Sequence, residues 1–204
     1  MDRLERVLTV LLAAAVVAPV AGGRASPPPG TTAIALSKRV VVYGGSLTLT
    51  GTFSHSRAGE TVAVYVREFR QNFRRAGSTT TRKDGVWRYS YRPRIESSFE
   101  ALSVDEVTRS PLVRVRPRVT IAVRAGGIIA RVDAGRRVAG KTVELQRRVR
   151  GRWLTIERAR VARPAARFRV KLPAGGSKLR VFISQKQVGP GYLDGFSRTF
   201  VVRR

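Results

Sequence analysis

The second half of this sequence repeats the first half at a nearly constant spacing of 81 residues. The segment AGETVAVYVR at 58–67 aligns with AGKTVELQRR at 139–148, and Trp87 falls on Phe168 at the same spacing. Two further aligned pairs differ from that spacing by one residue: Gly44-Gly45 with Gly126-Gly127, and Phe73 with Trp153. Because each half carries the same elements in the same order, we expect two similar units of about 85 residues, one after the other.

Both units have the period of two that is typical of β-strands with one buried face. Val62, Val64 and Val66 alternate with more polar residues, and Gly or Asp-Gly pairs separate the runs. No helical period follows residue 26. We therefore predict an all-β fold of two tandem immunoglobulin-like β-sandwiches. The predicted core residues are Val62, Val64, Trp87, Tyr89 and Tyr91 in the first unit, and Val143, Leu145, Trp153, Phe168, Val170, Leu179 and Val181 in the second.

The first residues have the features of an export signal. Arg3 and Arg6 precede a mainly apolar run at 7–20, and small residues follow up to Ala25. A run of fourteen residues is too short to span a bilayer comfortably, so cleavage is favoured over a membrane anchor. The predicted organisation is a signal peptide at 1–25, a Pro-rich spacer at 26–34, a first domain at 35–117 and a second domain at 118–204. The mature protein is then secreted, without a transmembrane segment.

The segment GRRVAGKT at 135–142 matches the phosphate-loop pattern G-x-x-x-x-G-K-[ST]. A working phosphate loop needs a helix after the glycines, whose N-terminus faces the phosphate. Here the residues after Thr142 continue as a strand, and the first unit has Glu60 in place of Lys141. We therefore interpret the match as accidental and predict no nucleotide or other cofactor.

The composition offers little material for catalysis or metal binding. The chain has one His, His55, and no Cys, so it lacks the usual soft metal ligands and thiol chemistry. Asp194 and Ser197 lie outside any nucleophile motif, and the second unit has too few acids for a glycosidase pair. We predict a protein that is not an enzyme and has no metal site. A secreted hydrolase with a degenerate site is the weakest alternative.

Positive charge is concentrated in the second unit. Residues 118–204 contain 22 Lys and Arg against 4 acidic residues, whereas 26–117 contain 15 against 7. Such a density attracts polyanions, although an Arg-rich composition alone could also produce it. The candidate polyanion contacts are Arg147, Arg148, Arg150, Arg152, Arg167, Arg169 and Lys171. The predicted partner is an anionic cell-wall polymer or another polyanion, and no specific nucleic acid.

The loop GPGYLDGFSR at 189–198 contains two aromatic residues among glycines. Tyr192 and Phe196 could present a stacking surface for a sugar, which makes a carbohydrate-binding module the alternative function. The competing interpretation, which we favour, is that Tyr192 closes one end of the second sandwich.

The segment AGKTVELQRRVRGRW, followed by ARFRVKLP, resembles bacterial immunoglobulin-like repeats of secreted actinobacterial proteins. The resemblance covers residues 35–204 and is weaker in the first unit, where VYVREFRQNF replaces the Gln-Arg-Arg and Gly-x-Trp elements. It implies a β-sandwich in a secreted or envelope-associated protein that serves as a spacer or binding module, and it supplies no catalytic residues.

Overall fold

The computed structural model describes residues 34–53, 57–104, 106–124, 127–162, 165–169 and 176–203. His55, Val170 and Lys171 lie outside these residues. The first group of strands comprises β1 Ala35–Leu36, β2 Val40–Val42, β3 Leu47–Thr52, β4 Thr61–Glu68, β5 Phe73–Thr80, β6 Val86–Tyr91, β7 Ser97–Leu102, β8 Val107–Arg109 and β9 Arg114–Arg116. Every strand up to β9 belongs to the first sandwich.

The described residues of the second sandwich form eight further strands and a four-residue helix. They are β10 Arg118–Arg124, β11 Gly127–Asp133, β12 Thr142–Val149, β13 Arg152–Arg160, β14 Ala166–Phe168, β15 Gly176–Ile183, α1 Gln185–Val188, β16 Gly195–Phe196 and β17 Phe200–Arg203. Within the described part of the chain, no helix is long and apolar enough to cross a membrane.

The two sandwiches share one strand topology. In the first, a sheet β1-β3-β6 faces a sheet β5-β4-β7-β8, and β2 pairs in parallel with β9. In the second, a sheet β10-β11-β14 faces a sheet β13-β12-β15-β16, with β17 also paired to β15. Non-consecutive strands pair within each sheet, as in the Greek-key connections of immunoglobulin-like domains. The predicted all-β, immunoglobulin-like fold class is confirmed.

Local backbone features also recur at the spacing seen in the sequence. The β4–β5 ladder shifts register between Val64 and Tyr65, where Ala76 of β5 is the extra residue. The β12–β13 ladder shifts between Leu145 and Gln146, where Ile156 of β13 is the extra residue. The turns before β4 and β12 both contain a glycine at positive φ, 85° at Gly59 and 81° at Gly140, where a Cβ would be strained. Gly140 lies in the phosphate-loop match. Since β12 follows it and not a helix, that segment is a turn and a strand entry, as the sequence predicted.

Two hydrophobic clusters form the cores, and most of the predicted core residues lie in them. Trp87, Val62 and Val64 are fully buried in the first cluster, while Tyr89 and Tyr91 pack against its edge. The fully or almost fully buried residues of the second cluster include Val143, Leu145, Phe168, Leu179 and Val181. The prediction for Trp153 was wrong. Its partner across the ladder is Arg148, and its side chain is half-buried beneath Arg180, outside the core.

The loop between β15 and β16 joins the two sandwiches. Glu96 N–H donates to the Gly191 carbonyl at 3.0 Å, and Leu193 N–H donates to the Val115 carbonyl at 2.9 Å. Val115, in β9, is fully buried in the hydrophobic cluster of the second sandwich. We call this set of contacts the junction. It places the β15–β16 end of the second sandwich against the first.

Candidate functional site

The β12–β13 hairpin carries four of the candidate polyanion contacts. Arg148, Arg150 and Arg152 are exposed, and Arg150 occupies the hairpin turn with a φ of 47°. Arg147 differs from its neighbours and requires a correction. It lies directly opposite the buried Leu179, so its side chain is on the inner face of β12, and its Nε is buried without a hydrogen-bond partner. Arg147 therefore does not belong to the exposed basic surface.

Arg167 and Arg169 lie on the outer face of the other sheet. Arg167 is exposed between the buried Ala166 and Phe168, and Arg169 follows Phe168 as the next outward residue. Together with Arg124, which the sequence analysis did not single out, they line a groove of about 270 Å³. Lys171 lies outside the described residues.

The hairpin and the groove occur at the same end of the second sandwich, opposite the junction. β12 runs toward this end, and the chain turns at Arg150. β15 starts at the same end, as the pairing of Leu179, near its start, with Arg147, near the end of β12, shows. β11 also begins there, since Gly127 pairs with Arg124 and Ile128 with Phe168. We call this end the distal tip; its exposed arginines are Arg124, Arg148, Arg150, Arg152, Arg167 and Arg169.

Three of the four acidic residues of 118–204 lie away from the distal tip. Asp133 ends β11 on the junction side, and the carboxylate of Asp194 accepts a hydrogen bond from Gln185 N–H in the junction loop. Glu144 lies near the start of β12. Glu157 lies opposite Leu145 in the middle of β13, and its carboxylate accepts a hydrogen bond from Arg169 N–H at 3.1 Å. Exposed cations such as Arg136 and Lys141 also lie at the junction end, but the six exposed arginines of the distal tip have only this one carboxylate of residues 118–204 beside them.

Tyr192 is a structural residue of the junction. It is 3% exposed, so it cannot offer the stacking surface that the carbohydrate alternative requires, and that assignment is corrected. Its hydroxyl donates to the Arg94 carbonyl at 2.8 Å and accepts from Gly135 N–H at 3.0 Å. The first of these bonds reaches into the other sandwich. The sequence favoured a buried Tyr192, but gave no sign of this second role.

Phe196 remains exposed, at 46%, but it is not isolated. The guanidinium carbon of Arg116 lies 4.7 Å from the centre of its ring, and that of Arg180 lies 5.5 Å from it. Arg180 also lies 4.4 Å from the ring centre of Trp153. These four side chains form a cation–aromatic row on the outer face of the sheet β13-β12-β15-β16, and Arg116 extends it to the first sandwich.

Arg180 carries an unbalanced charge in this row. Burial lowers the pKa of its guanidinium, and among the described residues no carboxylate forms an ion pair with it. Its Nε donates to Gln146 Oε1 at 2.9 Å. Gln146 in turn donates to the carboxylate of Glu144. Burial acts to raise the pKa of Glu144, but hydrogen bonds from Thr155, Arg158 and Gln146 outweigh it and lower that pKa. Glu144 thus already has its own partners.

The described side chains that could serve in catalysis either form structural hydrogen bonds or lie far from one another. The Ser197 hydroxyl accepts from Val181 N–H and donates to the Arg198 carbonyl, so it holds the chain against β15. In the described part of the chain, no three His, Asp or Glu side chains lie close enough together to hold a metal ion.

No protein-family model matches the sequence, and a search of curated proteins finds no match. Solved structures with a similar fold include the C-terminal 282-residue fragment of intimin in complex with the intimin-binding domain of the translocated intimin receptor, at 13% identity over 83% of this chain and 62% of that one, with a TM-score of 0.42. This chain therefore spans less than two thirds of the intimin fragment.

Two further similar structures are the D0-D1 domain of intimin and a cytokine receptor complex. The former is 12% identical over 86% of this chain and 98% of that one, with a TM-score of 0.35. The latter is 13% identical over 83% and 95%, with a TM-score of 0.37. Likeness at these values concerns the fold and does not identify a ligand or an activity.

Proposed function

We propose that this protein is an exported, non-enzymatic binding module that contacts an anionic polymer of the cell envelope through the distal tip. The observation that carries the proposal is the cluster of exposed arginines at this tip. Six of them stand around the hairpin and the groove, and Glu157, which accepts a hydrogen bond from Arg169 N–H, is the one acid of residues 118–204 beside them. A surface of one sign attracts a polyanion from solution and holds it by many weak ion contacts.

The form of the tip supports an extended ligand. Arg150 and Arg152 lie on a hairpin, while Arg124, Arg167 and Arg169 surround a groove on the opposite sheet. Because these arginines come from both sheets, a flexible polymer can contact several of them at once, and a compact anion cannot. Guanidinium groups suit this role because they remain charged at any physiological pH and bind carboxylate or phosphate in pairs of hydrogen bonds.

Binding of the purified protein to isolated cell walls, at low and high salt, tests this proposal. The tip variant changes Arg150, Arg152, Arg167 and Arg169 to Gln, and a matched control changes Arg57, Arg82, Arg88 and Arg92 of the first sandwich to Gln. Both lose four positive charges from exposed positions. We expect the tip variant to bind about tenfold more weakly or worse at low salt and to show a shallower salt dependence. Equal losses in both variants would show that only net charge matters.

The carbohydrate alternative cannot rest on the loop 189–198 as first conceived, because Tyr192 is buried. Phe196 is exposed, but Arg116 and Arg180 lie against its ring, so a saccharide bound there also meets these cations. Wall binding that survives high salt and the tip variant would direct attention to that row.

A further inference from the structure

We propose that the cation–aromatic row is a second binding site, in which Arg180 binds the carboxylate of an acidic, uronate-type saccharide. The site lies on the outer sheet face between the junction and the hairpin, where Trp153 pairs with Arg148 of the distal tip. The tip variant leaves all four side chains of the row unchanged. The two proposals can therefore fail separately.

The first step of the argument is the uncompensated charge of Arg180. At the same place in the first sandwich stands Glu100, which pairs with Tyr65 across the ladder as Arg180 pairs with Gln146. Glu100 has a cationic partner within its own sheet, because Arg109 Nε donates to its carboxylate at 2.8 Å. Arg180 has no such acid among the described residues, although it is partly buried. A ligand carboxylate would supply the missing partner.

The second step is that the guanidinium is held in place before a ligand arrives. The ring centres of Trp153 and Phe196 lie 4.4 and 5.5 Å from the guanidinium carbon of Arg180. Gln146 Oε1 accepts a hydrogen bond from its Nε. The Nε is thereby used, so the two terminal nitrogens supply the donors for a carboxylate. A fixed, partly dehydrated guanidinium loses less entropy and forms stronger hydrogen bonds than a free surface arginine.

The third step concerns the kind of anion. The exposed part of Phe196 and the half-buried Trp153 add apolar, flat surface beside the cation. A uronate ring matches both features, since it carries a carboxylate and a face of C–H bonds that can pack on an aromatic ring. Arg116, 4.7 Å from the Phe196 ring centre, offers a second cation for the next carboxylate of an oligomer.

Titration of the full-length protein with a trimer of galacturonic acid, at fixed ionic strength, tests the site. Fully methyl-esterified trimer is the matched ligand, because it keeps the rings and removes the charges. Tryptophan fluorescence provides the readout. The chain has two tryptophans, and Trp87 is fully buried in the first core, so a ligand at the row changes the emission of Trp153. Inorganic phosphate is titrated separately as a simple anion.

We expect saturable binding of the acidic trimer that weakens at least tenfold on methyl esterification or in the variant Arg180→Gln. Arg116→Gln, which leaves the contact between Arg180 and Trp153 intact, should weaken binding by roughly three- to tenfold. The control Arg131→Gln removes the same charge from the outer face of the opposite sheet and should leave binding within about twofold of the unmodified protein. Thermal unfolding of each variant shows whether it is folded, and the esterified ligand tests the site without any mutation.

The following results would overturn the proposal. Absence of binding, or equal binding of the acidic and esterified trimers, would show that no carboxylate is recognised. Equal weakening by Arg180→Gln and Arg131→Gln would mean that the trimer responds only to net charge. Phosphate binding as tight as that of the trimer would indicate a general anion site and not a saccharide site. The tip variant should retain trimer binding, and its loss would show that the trimer was bound at the distal tip.

Discussion

The two larger sheets, β5-β4-β7-β8 and β13-β12-β15-β16, have corresponding strands, but the charged side chains on their outer faces differ. Both have the same strand order and a bulge at the corresponding position, between Val64 and Tyr65 in one and Leu145 and Gln146 in the other. In the first, Glu100 and Arg109 neutralise one another beside a groove of about 280 Å³. In the second, Arg180 lies among aromatic rings and has no acid among the described residues. The replacement of Glu100 by Arg180 at the equivalent position thus exchanges an acid paired with an arginine for an arginine without an acid.

This difference shows how a repeated fold can acquire separate surfaces without changing its core. Trp87 and Phe168, aligned in the two halves, are both almost completely buried and serve the same packing role. The outward residues on the same sheets are free to differ, because replacing them does not leave a cavity. Function in this molecule should therefore be sought on the outward residues and at the ends, where the two sandwiches diverge.

The largest expected effect tests whether the two cores are equivalent. Trp87→Ala and Phe168→Ala should each lower the free energy of unfolding by about 3–5 kcal/mol, because each empties a fully packed position. Urea denaturation followed by circular dichroism measures the loss. In Trp87→Ala the only remaining tryptophan is Trp153, so its fluorescence reports the second sandwich alone.

That fluorescence sharpens the comparison. If the junction couples the sandwiches, the Trp153 transition of Trp87→Ala should move to lower urea together with the circular-dichroism transition. A Trp153 transition that stays at its original midpoint would show two independent folding units. A loss below about 1 kcal/mol in either variant would contradict equivalent packing at the two positions.

Much of the fold could be predicted from the sequence because strand pairing follows a strict period. Val62 and Val64 alternate with more exposed residues, and the same alternation recurs 81 residues later. The alternation in one half therefore predicts which strand residues are buried in both halves. Trp153 was wrongly predicted as a core residue. Its alignment with Phe73 was correct, but both side chains lie on the outer face of their sheets. A large aromatic residue was taken as a core residue, whereas here it packs against an arginine.

The candidate sites were less predictable, since they depend on contacts between distant segments. Arg116 and Phe196 meet only because the junction loop folds back onto the first sandwich, and no local pattern indicates that contact. Arg147 was misassigned although the pattern indicated its orientation. It lies two residues after the inward Leu145, and β12 pairs with β15 without a register shift, so both side chains lie on the same face. A signal for Arg180 was also present. Its alignment with Glu100 places opposite charges at equivalent positions of a repeat.

The next effect concerns the junction. Tyr192→Phe removes a hydroxyl that accepts from Gly135 N–H and donates to the Arg94 carbonyl, so two partly buried hydrogen bonds are lost. We expect a loss of about 1–3 kcal/mol and a broader or split unfolding transition. The matched control is Tyr65→Phe, since within the described residues the Tyr65 hydroxyl has no hydrogen bond. An unchanged single transition in Tyr192→Phe would mean that this hydroxyl does not hold the sandwiches together.

A smaller effect compares the two outer faces directly. Arg180→Gln should cost about 1–2 kcal/mol, because it removes cation–aromatic contacts with Trp153 and Phe196 together with the bond to Gln146. Glu100→Gln should cost at most about 0.5 kcal/mol, because its partner Arg109 is 80% exposed and such pairs contribute little. Urea denaturation of the two variants in parallel gives the comparison. A greater loss of unfolding free energy in Glu100→Gln would contradict the view that Arg180 contributes more to its sheet face than Glu100 does to the equivalent face.

The smallest effect is a dependence of the junction on alkaline pH. Burial raises the pKa of Tyr192 above its ordinary value near 10, although Gly135 N–H and Arg136 act in the opposite direction. Above pH 10 the unfolded chain therefore loses this proton more readily than the folded chain does. Folding stability is fully present below pH 10 and decreases as the pH rises toward the folded pKa. Unfolding free energies measured between pH 9 and pH 11 should fall more steeply for the unmodified protein than for Tyr192→Phe. Tyr91, whose pKa burial also raises, contributes equally to both proteins, so parallel pH profiles would show that Tyr192 does not contribute.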